Sequence, residues 1–330
     1  TEDRMAYLTE QYAFPLPEPE QPKNKDKNYI VSLNTVVQYL AEQAEELGVE
    51  LYTSTAVDSA QFRDDGSISG VVTRDVGLDR LGKPKASFER GMEFQARFTV
   101  LAEGCHGLVT KKILSKFDLR LEAKIQTYGL GIKEVWEVPA DNFEKGLVAH
   151  SLGFPLSSDT YGGGFMYHFG DGLVAVGLVV GLDYPNPYVS PYQEFQKMKT
   201  HPYYRNYFEG GKCVSYAARA LNEGGLQSVP RLYFPGGMLV GASAGFMNVP
   251  KIKGTHTAIK SGILAAESMF EHIQKHELEP FSEETAVDEE AISLESYEKA
   301  YKDSWIYLEL HEVRNVRPSF HNGFLFGLGY

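Results

Sequence analysis

Apolar positions along this chain recur at distinct spacings, and each spacing predicts a kind of element. Leu33, Val36, Val37, Leu40, Ala44 and Leu47 follow at helical intervals and predict an amphipathic helix. Ser32 stands where a cap is needed, and Gly48 where the helix must stop. Val49–Thr53 then reads as a buried strand. Asp65-Gly66 predicts a hairpin turn between Ala56–Phe62 and Ser67–Thr73, and Gly91–Leu101 is a further strand. From Ile125 to Leu221 the pattern is mostly β. Strands are predicted over Ile125–Val138, Leu147–Phe154, Gly164–Phe169, Leu173–Val180 and Cys213–Leu221, with a turn at Asp171-Gly172. Ser190–Phe208 reads as a helix interrupted or ended by Pro202. Two apolar runs, Leu232–Phe234 and Met238–Val240, flank the turn Pro235-Gly236-Gly237. Ile259, Ile263, Ala266, Phe270 and Ile273 predict the buried face of a helix that Thr255 and Thr257 can cap. Leu294, Tyr297, Tyr301, Trp305, Leu308 and His311 predict one more helix over Ser293–Arg314. Residues 1–27, rich in Pro, Gln and charge, read as an exposed linker, and Pro280–Glu290 as an acidic loop.

These elements predict an α/β (α+β) fold. A flavin- or nicotinamide-binding type of α/β domain is written in two pieces, 1–122 and 222–275, around an inserted antiparallel sheet at 123–221. Residues 276–330 form a helical segment leading to a tail. No G-x-G-x-x-G stands in the chain, so the first strand–turn–helix of such a domain is missing and the domain is incomplete.

The chemistry concentrates where a strand, a glycine-rich loop (Gly241 to Gly254) and a helix start follow one another. A helix N-terminus offers unpaired N–H groups and partial positive charge. Gly237, Gly241, Gly245 and Gly254 allow close backbone approach, and Asn248, Thr255 and Thr257 add hydrogen-bonding side chains. The pattern suits a phosphate or the pyrimidine edge of a flavin, and equally a crossover that holds no ligand. Gly104, at the exit of the strand ending Val100-Leu101, is a second point of approach or a plain strand exit. Cys105 and Cys213 are far apart and read as buried free thiols. His168 and His256 read as structural groups. Trp136, Tyr161, Phe165, Tyr167 and Phe169 read as core, with a ligand wall as the alternative.

Several stretches resemble the electron transfer flavoprotein–ubiquinone oxidoreductase family. They are TEDR (Thr1–Arg4), FERG (Phe88–Gly91), AEGCHG (Ala102–Gly107), TYGG (Thr160–Gly163), GLVVGLDY (Gly177–Tyr184), ARALNEGG (Ala218–Gly225), GGMLVGASAGFMNVPKIKGTHTAIKSGILAAES from Gly236 and VRNVRPS (Val313–Ser319). The resemblance implies FAD, held by Gly104, Gly237, Gly241, Gly245, Asn248, Gly254, Thr255 and Thr257. It implies ubiquinone as substrate, met by the backbone at Gly162 and Gly163; from the residues alone these would be a hairpin turn or bulge. It also implies a 4Fe-4S cluster whose ligands are not in this chain. Reduced electron transfer flavoprotein is the implied electron donor, other respiratory-chain subunits are possible partners, and the implied location is the matrix side of the mitochondrial inner membrane or a bacterial cytoplasmic membrane. The wider flavin hydroxylase and reductase group carries an Asp where this chain has Ala242. The alternatives are a flavin-dependent reductase or hydroxylase of a lipid or aromatic substrate, and a cofactor-free accessory subunit.

A net charge of −12 argues against nucleic acid as a partner but leaves a monotopic contact with a membrane surface open. No apolar run is long enough to span a bilayer and no leader is visible; the start at Thr1 points to a processed or excised chain. The tail from Phe320, FHNGFLFGLGY, reads as membrane- or partner-facing with Arg314 and Arg317 near the head groups, or as an ordinary buried terminus.

Overall fold

The computed structural model describes residues 2–17, 29–282, 292–320, 323 and 327. Two hydrophobic clusters organise it. The larger sheet is built from β1 (Glu2–Leu8), β2 (Ala13–Leu16), β9 (Tyr128–Glu137), β10 (Leu147–Gly153), β11 (Gly162–Phe169), β12 (Leu173–Gly181) and β13 (Lys212–Asn222). Its order is β13-β9-β12-β11-β10-β1-β2. All neighbours are antiparallel except β1 and β10, which run parallel from Glu2↔Leu147 to Leu8↔Gly153. The linker reading of the first residues is therefore corrected: β1 buries Ala6 and Leu8 in this sheet. Tertiary pairing overrides the polar composition, and Pro15 sits on the edge strand, where a missing N–H is tolerated. Helices α3 (Pro191–Thr200) and α4 (Pro202–Phe208) break at Pro202 as expected. They bury Phe195, Met198 and Tyr204 against Val174, Val176, Leu178 and Val180 of β12.

The second cluster surrounds a three-stranded sheet of β14 (Tyr233–Phe234), β15 (Gly237–Leu239) and β8 (Thr99–Leu101). β14 and β15 form the expected hairpin; β15 and β8 run parallel, Leu239 beside Leu101. Around them pack α2 (Leu108–Lys116), α5 (Gly241–Ala244), α6 (Thr255–Lys275), α7 (Glu295–Lys302) and α8 (Trp305–Glu312). The hairpin β3 (Val57–Phe62) and β4 (Ile68–Thr73) turns at Gly66 and pairs with β7 (Glu93–Gln95). The single strand expected over Gly91–Leu101 is split between β7 and β8, which lie in different sheets. A hairpin of β5 (Val76–Leu78) and β6 (Pro84–Glu89) and the helix α2 were not predicted.

Four further readings are corrected or qualified. Val49–Thr53 forms no strand: Val49 and Tyr52 are about half exposed, and no described strand pairs with the segment. α1 (Leu33–Glu46) forms and ends at Gly48, φ 87°, but buries none of its residues. In α6 the buried face is Thr257, Ser261, Leu264, Ala265 and Ser268, while Ile259, Ile263 and Phe270 are exposed. The reason is close approach. Gly241 N donates to Ser261 Oγ at 2.9 Å, a distance only small residues allow at the crossing. Finally, the helix expected over Ser293–Arg314 breaks at Ser304, whose Oγ donates to Tyr301 O and accepts from Ile306 N. The break shifts the buried register from Leu294, Tyr297 and Tyr301 to Ile306 and Leu310, leaving Leu308 65% exposed. A short α9 (Val316–Ser319) follows.

Candidate functional site

The parallel strands β8 and β15 point their carboxyl ends the same way, where open α/β sheets place ligands. Beyond β8 lies Gly104, φ 79°, with open space where a Cβ would stand. Beyond β15 lies Gly241, φ 56°, where the chain turns into α5, and Gly245 closes that helix at φ 90°. Ser243 Oγ donates to Gly104 O at 3.2 Å and ties the two exits together. Glu103 turns away to cap α2, accepting from Thr110 N and Oγ1 at 2.6 Å each. A cavity of about 480 Å³ opens here, lined among others by Cys105, Lys111, Tyr128, Asn222 and Ser243.

A second cavity, about 710 Å³, lies between the face of the seven-stranded sheet, the loop around Pro250 and the C-terminal helices. Gly162, Gly163, Tyr161 and Phe165 line it, as do Met247, Ile252 and Arg317. Asn222 lines both cavities, so they share a wall. Gly162 and Gly163 are not in a turn but begin β11, which corrects the hairpin or bulge reading. A Cβ on Gly163 would stand 2.5 Å from Ser151 O, and one on Gly164 2.5 Å from Met198 Sδ. Glycine is required at these positions by packing alone. Tyr161 and Phe165, expected to be core, are half-buried and face the cavity.

The loop before α6 is held by one carboxylate. Glu309 accepts from Asn248 Nδ2 at 2.8 Å, Lys251 Nζ at 2.7 Å and His256 Nε2 at 2.8 Å. Burial pushes the Glu309 carboxyl up, but those three hydrogen bonds together hold it below the usual range. Asn248 is fully buried, and its Oδ1 accepts from Lys251 N. Its side chain therefore shapes the loop. Thr257, also fully buried, donates to Phe246 O and Gly254 O at 2.8 Å each. Neither Thr255 nor Thr257 caps α6: the cap position is Gly254, and no side-chain bond closes it. The helix start is thus left with bare backbone donors. Gly237 pairs inside the parallel ladder rather than beside the loop.

Nearby buried polar atoms point to a flavin. Gln126 Nε2 and Asn222 Oδ1 have no hydrogen-bond partner among the described residues. Gln126 Nε2 would lie 2.9 Å from a Cβ on Gly245, so it is aimed at the glycine loop. A donor, an acceptor and an uncapped helix start fit the mixed donor–acceptor edge of a flavin ring. A four-cysteine cluster does not fit. Cys105 is half-buried and Cys213 exposed on the edge strand β13, which corrects their reading as buried thiols. Among the described residues no three His, Cys, Asp or Glu side chains gather as metal ligands.

Residues 128–221, spanning β9 to β13, match the family model described as ETF-QO, ubiquinone-binding. The whole chain is 64% identical to the probable electron transfer flavoprotein-ubiquinone oxidoreductase, mitochondrial, of Saccharomyces cerevisiae, covering 53% of that protein. Over its whole length the chain is similar to the electron transfer flavoprotein–ubiquinone oxidoreductase family. It is 53% identical, over 97% of its length, to the Homo sapiens member, of which it covers 51%. It thus spans about half the length of the curated relatives it matches. Its fold is that of the FAD-dependent oxidoreductases: 96% of the chain superposes on 70% of a geranylgeranyl bacteriochlorophyll reductase-like protein of Thermoplasma acidophilum, TM-score 0.66, 16% identity.

One cluster went unread in the sequence. Arg317, expected near lipid head groups, is instead 8% exposed. Its Nη2 donates to both Asp183 carboxylate oxygens at 2.9 Å, and its guanidinium lies 4.1 Å over the Tyr161 ring. Glu223 sits 3.5 Å from Arg317 Nε. These residues are scattered along the chain, in the separate runs TYGG, GLVVGLDY, ARALNEGG and VRNVRPS, and nothing in any one run shows that they meet. Among the described residues no helix is long and apolar enough to cross a membrane. Of the tail, Phe320 packs edge-on to Tyr161 at 5.0 Å; most of the rest lies outside the described residues.

Proposed function

We propose that this chain carries the flavin-facing and quinone-facing walls of an enzyme that moves electrons from reduced electron transfer flavoprotein to ubiquinone. The observation that carries the reading is the 710 Å³ cavity. It is lined by Gly162 and Gly163, has one wall formed by the segment matched as ubiquinone-binding, and shares the Asn222 wall with the cavity beyond β8 and β15. FAD, when bound, supplies the redox chemistry. Gly104, Gly241 and Gly245 give it close backbone approach, Gln126 and Asn222 give it hydrogen bonds, and the bare start of α6 at Gly254, Thr255 and Thr257 favours negative charge on its ring. Asn248 acts through the loop, not by contact. The quinone ring enters against Gly162 and Gly163, while Phe165, Met247 and Ile252 cover its apolar parts. The 4Fe-4S cluster has no ligand set here, and no step is derived through it. The matrix face of the mitochondrial inner membrane is the location this reading entails, with the quinone reached from the bilayer.

The test is optical. In the flavin-loaded enzyme, reduced electron transfer flavoprotein should bleach the flavin band, and a short-chain ubiquinone should restore it. Bleaching by NADPH instead would favour a hydroxylase-type enzyme, and a preparation with no flavin band would favour an accessory subunit.

A further inference from the structure

The quinone cavity contains an acid for which the electron-transfer reading has no use. Glu223 is 3% exposed just beyond β13, yet it is among the residues that line the cavity. The sheet makes room for it. A side chain at Gly129 on β9 would overlap Glu223 Oε1, and a Cβ at Gly181 on β12 would stand 3.3 Å from Glu223 Oε2. The same vacant position at Gly181 is 3.1 Å from Asp183 Oδ1 and 3.2 Å from Tyr161 O, the residue just before Gly162. Glu223 therefore sits close to the backbone that meets the quinone.

Its surroundings hold it without consuming it. Arg317 is committed to Asp183 by two 2.9 Å hydrogen bonds and reaches Glu223 Oε2 only at 3.5 Å, too long for a well-formed bond. Glu223 Oε2 has no hydrogen-bond partner among the described residues. The Tyr161 hydroxyl is pushed up to about 12 by burial, so it stays protonated and neutral. Asp183, 37% exposed, gives the cluster an edge on solvent.

We propose that Glu223 delivers protons to the quinone as it is reduced, with Asp183 and Arg317 setting its charge and linking it to water. The proposal rests on the quinone reading above. The balance is simple. Each quinone takes two electrons from the flavin side of the enzyme and two protons, and its two carbonyl oxygens become hydroxyls. Glu223 gives one proton from its carboxyl, becomes a carboxylate, and is recharged from water at Asp183 before giving the second. Burial is the main reason that the Glu223 carboxyl is pushed up to about 7; Arg317 pulls it down and Asp183 pushes it up. Near neutral pH both forms are then present, as a group that gives and regains protons requires.

The test compares E223Q, E223D and D183N with wild type in the flavin-loaded enzyme. E223Q keeps shape and hydrogen-bonding reach but cannot carry the proton. Its turnover of a short-chain ubiquinone should fall by roughly 10²-fold, with the quinone KM unchanged, because a positioned general acid contributes about that factor or more. Ferricenium reduction, which takes electrons but no protons, should be unaffected. E223D should recover part of the loss, and D183N should move the pH midpoint of quinone turnover to lower pH. Infrared titration of wild type without substrate should show a buried carboxyl titrating near pH 7, absent in E223Q. E223Q with wild-type turnover and pH midpoint overturns the proposal. Should E223Q fail to fold, a pH midpoint unmoved in D183N overturns it. Wild type that bleaches with reduced flavoprotein but never reduces quinone overturns the functional reading and this proposal together.

Discussion

Removing the Glu309 carboxylate should loosen the loop that walls both ligand regions. Three donors converge on it: Asn248, Lys251 and His256. Its side chain is 14% exposed, Lys251 22% and His256 35%, so the Asn248 bond is the driest and the His256 bond the most screened. Allowing about 1.5 kcal/mol for the first, about 1 for the second and about 0.5 for the third, Glu309→Ala should cost about 3 kcal/mol. Glu309→Gln keeps an acceptor for Asn248 and should cost about half as much. Denaturant unfolding gives the size of the loss, and amide hydrogen exchange locates it. Protection should fall first over residues 248–254, where the amides of Asn248 and Lys253 bridge the loop. The sign of the pH dependence is fixed. Glu309 has a lowered pKa, so its contribution is present above the ordinary glutamate value and is lost as pH falls through the folded one. Wild type and Glu309→Gln should therefore converge as pH falls through that folded value, below the ordinary glutamate range. Unchanged unfolding and exchange in Glu309→Ala would refute the reasoning, because the loop would then hold without its anchor.

Thr257→Val leaves Phe246 O and Gly254 O without their buried donor and should cost about 1–3 kcal/mol in denaturant unfolding. Gly164→Ala overpacks the contact with Met198 and Tyr204 and should cost about 1–3 kcal/mol, so lost quinone turnover in that variant would reflect folding, as its melting curve should show. His168 is pushed down to about 4 chiefly by burial, so it stays neutral when folded. Unfolding then takes up a proton below the ordinary histidine value, and stability should fall as pH drops from about 6.5 to 4, by roughly 2 kcal/mol for this residue. His168→Gln should flatten that part of the profile. Asn248→Ala, by letting the start of α6 shift, should lower the flavin potential by tens of mV, since about 1.4 kcal/mol corresponds to ~30 mV for a two-electron couple; a spectroelectrochemical titration checks it.

The strands of the large sheet were legible because Val- and Tyr-rich runs between glycine turns carry their own signal: β9, β10, β12 and β13 lie within a few residues of their predicted bounds. What the pattern could not carry was long-range pairing. β1 reads as a polar segment until it lies beside β10, 140-odd residues away. The face of α6 was misread for a related reason. Ile259, Ile263 and Phe270 form the more apolar stripe, but closeness to Gly241 selects the small-residue stripe through Ser261 and Ala265. In the site, the glycines at 104, 241 and 245 were legible as a strand-exit pattern, and Gly162 and Gly163 only through family resemblance. Asn248 was read as a flavin contact; its buried side chain is bonded to Glu309, a structural partner that the sequence did not reveal. Arg317, Asp183 and Glu223 were invisible as a group, since three lone charges far apart in sequence acquire meaning only when the sheet and α9 bring them to one wall.

The most direct measurement of the central claim is photolabelling of the flavin-loaded enzyme with an azido-ubiquinone, followed by mass spectrometry of its peptides. The account predicts label in the segment around Tyr161 to Met166 and in the loop from Met247 to Ile252, displaced by unlabelled ubiquinone. Label confined to other segments, in enzyme that still reduces ubiquinone, would contradict it.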